Sequence, residues 1–85
     1  NMSKKLSVLI PVYNEKDTVK TCIDKVLEAN TLNMDLEVIV SDNNSTDGTK
    51  EILKGIQNPK VKILFKEKNE AYQKCYLKII WALKI

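Results

Sequence analysis

Two short polar segments hold the side chains best suited to chemistry. The first is Pro11-Val12-Tyr13-Asn14-Glu15. Pro11 interrupts a strand ladder and sets the direction in which the chain leaves it. Tyr13 offers a ring that can lie against a planar base. Glu15 offers acceptor oxygens suited to the paired hydroxyls of a ribose. A plain strand-to-helix turn, with Asn14 as N-cap, accounts for the same residues. The second segment is Ser41 to Thr49, SDNNSTDGT. Asp42 can accept a hydrogen bond from a ring N–H of a base. Asn43 and Asn44 tolerate unusual backbone angles and can supply amide donors. Ser45 or Thr46 can cap a following helix, and Asp47 suits that helix's dipole. A turn and a cap account for Ser45 to Thr49 but leave Asp42 unexplained, which makes Asp42 the stronger functional candidate.

The elements that must carry these segments follow from hydrophobic periodicity. Leu6 to Val12 is a short apolar run, read as a strand buried on both faces. Residues 16–30 place Val19, Cys22, Ile23, Val26 and Leu27 on one helical stripe. Leu36 to Val40 is a second strand, and Lys50 to Ile56 a short helix with Ile52, Leu53 and Ile56 inward. Asn58-Pro59 closes it, and Val61 to Phe65 is a third strand. Residues 70–84 read as a third helix. Strands alternating with helices imply an α/β fold: a three-stranded parallel sheet in the order 3-2-1 with flanking helices, the first half of a Rossmann-like, doubly wound unit. In such a sheet the loops at the carboxyl ends of the strands converge, here Pro11 to Glu15, Ser41 to Asp47 and Lys66 to Asn69.

Composition narrows the classes further. The chain has 85 residues, 14 basic and 11 acidic side chains, a net charge of +3 and no His. No apolar run approaches the roughly 18 residues of a membrane span. The start of the sequence lacks a secretory layout. Without His there is no imidazole ligand or base. Cys22 and Cys75 have no metal-site spacing and read as buried free thiols in a reducing compartment. No G-x-G-x-x-G follows the first strand, and no phosphate-loop motif is present. The basic excess is dispersed and aromatic residues are few, which argues against a nucleic-acid partner. The location implied is cytoplasmic.

Two features point to a partner. In the order 3-2-1 the first strand is an uncharged, apolar edge between Leu6 and Val12, the kind that recruits another strand. The third helix is apolar over most of its surface. A homodimer through strand one or the third helix is therefore expected, and a non-catalytic α/β self-association module is the alternative reading of function. A weaker variant lays the third helix on a membrane surface.

Taken together, L-S-V-L-I-P-V-Y-N-E and E-V-I-V-S-D-N-N-S-T-D-G-T resemble the start of the inverting family-two glycosyltransferases of GT-A fold, above all the dolichol- and polyprenol-phosphate sugar transferases. Lys68-Asn69-Glu70 is similar to the family's Asn-x-Gly segment, although Ala71 and Tyr72-Gln73 replace its usual Gly and Lys-Gly. The resemblance implies a sugar transferred from a UDP- or GDP-sugar donor to an acceptor. It implies that Pro11, Tyr13 and Glu15 line the base and ribose, and that Asp42 bonds the base. Asn43 and Asn44 stand where many members have Asp and Gly. Residues 1–85 would form one partial nucleotide-sugar-binding domain, ending before the Asp-x-Asp strand that holds Mg or Mn in the intact family enzyme. No catalytic or metal-binding residue is assigned within the chain, and the 85 residues alone are expected to be inactive.

Overall fold

The computed structural model describes residues 5–67 and 80–84. In chain order the elements are β1 (Lys5–Val12), α1 (Val19–Glu28), β2 (Asp35–Asp42), α2 (Thr49–Lys54), β3 (Val61–Phe65) and β4 (Ile80–Lys84). They build one sheet in the order β3-β2-β1-β4. The three strands expected from the sequence are present, parallel and in the expected order. Each parallel crossover passes through a helix, as joining the far ends of two parallel strands requires.

The fourth strand corrects the reading of the chain's end. Residues 80–84 are not the end of a third helix but a strand, antiparallel to β1, with Lys5 opposite Lys84 and Leu9 opposite Ile80. Residues 70–79 of the expected helix, with Cys75, lie outside the described residues. Strand one is therefore not a sheet edge. The apolar edge expected to attract a second copy is filled by the chain's own β4.

The core lies between one face of the sheet and the two helices. Leu6, Val8, Ile10 and Val12 of β1 line up beside Leu36, Val38 and Val40 of β2, and all are buried. Val19, Ile23 and Val26 of α1 and Leu53 of α2 close over them, with Cys22, Leu27, Ile52, Ile56, Val61 and Ile63 packed around the rim. The helical stripes read from spacing are thus the faces that pack. Cys22 is a free thiol but only half-buried. Burial pushes its thiol above the ordinary range, with the Lys25 charge pulling down and Glu15 adding to the rise. At the end of β3 the Lys54 ammonium of α2 sits 5.9 Å from the Phe65 ring centre, a cation–π contact.

The other face of the sheet departs from the expectation of strands buried on both sides. Leu9 and Ile39 are half-buried there, and Leu64 is 55% exposed. Its polar centre is Glu37, which accepts the Ser7 hydroxyl at 3.0 Å and pairs with Lys62 at 3.0 Å and Lys5 at 3.5 Å. The Lys62 ammonium foremost, then the Ser7 hydroxyl, hold the Glu37 carboxyl at about 2 against an ordinary 4.5, although burial acts the other way. A carboxylate with a lowered folded-state pKa stabilises the fold above its unfolded value, and that contribution fades as the acid protonates it. Urea titrations from neutral to acid pH should show wild type more stable than Glu37→Gln at neutral pH. The gap should close as pH falls from about 5 to about 2. A gap independent of pH would mean that Glu37 stabilises by packing alone.

Candidate functional site

The carboxyl ends of the parallel strands meet along one line. The Val12 carbonyl accepts the Asn43 N–H at 2.8 Å, and the Asp42 carbonyl accepts the Lys66 N–H at 2.9 Å. β1 runs one residue past Pro11, which pairs with Ser41. Polar groups alternate sides along a strand. Because the Val12 carbonyl faces β2, those of Pro11 face the opposite way, and β4 pairs β1 only as far as Leu9. Among the described residues, the N–H that proline lacks would therefore have had no ladder partner.

Beyond the strands, the two candidate loops are bonded directly to each other. The Asn14 N–H donates to the Ser45 hydroxyl at 2.9 Å, the Glu15 N–H to the Thr49 hydroxyl at 3.0 Å, and the Lys16 N–H to Asp47 at 3.3 Å. The Asn14 side chain reaches across as well. Its Oδ1 accepts the Thr46 N–H at 2.7 Å, and its Nδ2 donates to the Thr46 hydroxyl at 3.4 Å. Asn14 adopts the left-handed backbone conformation, φ 51°, and so does Asn44, φ 59°. Asparagine is among the few non-glycine residues that tolerate this conformation.

Asn14 is therefore not the N-cap of α1. The helix starts at Val19, later than the expected residue 16, and Thr18 holds the cap position without a side-chain cap bond. The intervening turn closes on Glu15, whose carbonyl accepts the N–H groups of Thr18 and Val19 at 3.1 and 2.8 Å. The Glu15 carboxylate takes the Thr18 hydroxyl at 2.7 Å. Ser45 and Thr46 do not cap α2 either. Gly48 stands at that cap with φ 105°, a backbone angle that excludes most side chains, and it has no side-chain cap bond. Asp47 supplies the acceptor at the start of α2, taking the Thr49 N–H at 3.0 Å. Burial raises the Asp47 carboxyl. Hydrogen bonds from the Thr49 hydroxyl, the Thr49 N–H and the Lys16 N–H outweigh this and hold it below its ordinary value.

Asp42 has a structural explanation that the sequence did not supply. It is fully buried. Its Oδ1 accepts the Ser45 hydroxyl at 2.6 Å and its Oδ2 accepts the Ser45 N–H at 3.1 Å. The carboxylate thus reaches the residue three positions on and organises the loop that follows it. Pro11, Tyr13, Glu15, Asn43 and Asn44 are half-buried. The structure thus brings all six candidate residues to the carboxyl ends of β1 and β2 and the loops that follow them. Asn44 is also anchored, accepting the Lys50 ammonium at 2.5 Å. The residues missed from sequence are Ser45 and Thr49 as bridges between the loops. The available signal was the spacing of Asp42 to Ser45 and Asp47 to Thr49, both common in side-chain-to-backbone turns.

A cleft of about 430 Å³ lies elsewhere, between α1 and α2, lined by Ile23, Leu27, Ile52 and Ile56 among others. None of the six candidate residues borders it. Among the described residues no group of three or more His, Cys, Asp or Glu side chains converges to hold a metal ion. Among them, too, no helix is long and apolar enough to cross a membrane.

The chain is 47% identical over 47 residues to the glycosyltransferase AglE of Haloferax volcanii, covering 55% of this chain and 16% of that protein. It is 38% identical over 48 residues to the abequosyltransferase RfbV of Salmonella typhimurium, covering 56% of this chain and 14% of that one. Similarity to the poly(ribitol-phosphate) beta-glucosyltransferase of Bacillus spizizenii is 39% over 49 residues, covering 58% of this chain and 8% of that protein. The chain thus spans less than one fifth of each relative's length. No solved structure matches it significantly. The family profile described as glycosyl transferase family 2 matches residues 7–80, a span that takes in β2, β3, both bonded loops and all of β1 but its first two residues, and the chain belongs to that family.

Proposed function

We propose that this chain is the nucleotide-binding portion of an enzyme that transfers a sugar from a UDP- or GDP-sugar to an acceptor. The observation that carries the proposal is the bonding of the Tyr13–Glu15 loop to the Asp42–Thr49 loop at the carboxyl ends of β1 and β2. Ligands of open α/β sheets sit at that edge. In this reading the Tyr13 ring lies against the base and the Glu15 carboxylate accepts from the ribose hydroxyls. Pro11 shapes the floor, and the Asn43 and Asn44 amides bond polar groups of the nucleotide. Asp42 has lone pairs beyond the two that Ser45 uses, and one accepts a ring N–H of the base. Because Asp42 is fully buried, that contact requires the side chains above it to shift when the nucleotide enters. A carboxylate base that activates the acceptor, and the Mg or Mn that would neutralise the leaving diphosphate, are assigned to no residue of this chain. The 85 residues by themselves are therefore proposed to bind a nucleotide without turnover.

Amide-resolved NMR titration with UDP and with GDP tests this. Saturable shifts at Tyr13, Glu15 and Asn43 are expected with one nucleotide, weakened in Tyr13→Ala. A folded sample in which neither nucleotide moves those amides would refute the binding role.

A further inference from the structure

We propose that Ser45 and Thr49 are positioning residues for the nucleotide loop, acting through their hydroxyls on the backbone of Asn14 and Glu15 and touching no ligand themselves. The inference rests on the nucleotide-binding role proposed above.

The two residues are built alike. Ser45 donates its single hydroxyl proton to Asp42 at 2.6 Å and accepts the Asn14 N–H at 2.9 Å. Thr49 donates to Asp47 at 2.5 Å and accepts the Glu15 N–H at 3.0 Å. A carboxylate only accepts and an N–H only donates, so each hydroxyl has one orientation that satisfies both neighbours. Both residues are buried, Thr49 completely. In such surroundings an N–H deprived of its acceptor is costly, and a hydroxyl polarised by a carboxylate is a stronger acceptor.

Helix capping does not explain these hydroxyls. The cap of α2 is Gly48, and Asp47 takes the Thr49 N–H. Their remaining effect is to hold two consecutive N–H groups of the first loop. One of those belongs to Asn14, whose left-handed backbone needs outside support. Tyr13 and Glu15 therefore hang from a backbone that is already fixed. The ordering of this loop is completed on folding rather than charged against nucleotide affinity, which is how preorganisation strengthens binding.

Thr49 gives the cleaner test, because Thr49→Val keeps its shape and leaves the bond from the residue-49 N–H to Asp47 in place. Two readouts are measured on wild type, Thr49→Val and Thr49→Ser: hydrogen exchange at the Glu15 amide, and affinity for UDP and for GDP by NMR titration. Thr49→Val is expected to exchange Glu15 faster and to weaken the nucleotide about tenfold, the equivalent of one lost hydrogen bond. Thr49→Ser, which restores the hydroxyl, should recover both. Unchanged affinity in a folded Thr49→Val overturns the positioning role, as does weakened binding that Thr49→Ser fails to rescue. If wild type binds neither nucleotide, the binding role itself has failed. The exchange readout then still judges the latch, and an unchanged Glu15 amide in Thr49→Val refutes it.

Discussion

Asp42→Ala should lower the unfolding free energy by about 3 kcal/mol, as read from the urea midpoint by circular dichroism. The carboxylate is fully buried and accepts both the hydroxyl and the N–H of Ser45. Hydrogen bonds to an ionised acceptor contribute about 1.5–3 kcal/mol each, and their loss here strands two buried groups of Ser45. The Ser45 hydroxyl would lose the neighbour that orients it toward Asn14, so the damage should extend to the first loop. Asp42→Asn should fall between wild type and Asp42→Ala. Its amide keeps one acceptor oxygen but presents donors where the second acceptor stood. Single small domains are stable by about 0.05–0.15 kcal/mol per residue, so a loss of this size is a large share of the total. A change below about 1 kcal/mol in Asp42→Ala would mean that water replaces the carboxylate without difficulty, and the loop would not depend on it.

Ile10→Ala should cost about 4 kcal/mol and leave the chain close to unfolded under mild denaturant. Ile10 is completely buried and is among the largest side chains so enclosed. It lies on β1, which has strands on both sides, directly beside Val40 of β2. Removing its outer carbons opens a cavity where sheet and helices meet, and cores of this density relax only in part. Ile10→Val should cost only about 1 kcal/mol, because most of the volume remains. Leu64→Ala serves as the control. That side chain is 55% exposed, and its truncation should change stability by no more than about 0.5 kcal/mol. Equal losses for Ile10→Ala and Leu64→Ala would show that the sheet is not organised around β1.

Much of this molecule could be read from local pattern. Short apolar runs bounded by turn residues marked the three parallel strands, and Val61 to Phe65 was placed to the residue. The stripe Val19, Cys22, Ile23, Val26, Leu27 marked the packed face of α1, because a helix with one apolar stripe has one way to bury it. Boundaries were less legible. α1 starts three residues later than its pattern suggests, because Asn14 and Lys16 are engaged with the second loop. The most consequential misreading was Ile80 to Lys84. A short apolar run reads equally as buried helix or as strand. The unfilled side of β1 favours a strand there, and no periodicity within the run could reveal that.

The sequence by itself determined the alternation of strands and helices, hence the parallel order, and hence the edge where the polar loops gather. It also named the six candidate residues, since their side-chain chemistry is intrinsic to them. Only the tertiary structure decided how those residues are held. The bonds that lock the loops join positions 31 to 34 apart in the chain. Donor and acceptor meet there because the parallel register sets Val12 beside Asp42. A hydroxyl in a turn reads the same whether it caps a helix or bridges two loops. The difference lies in which N–H group the rest of the fold brings within 3 Å of it.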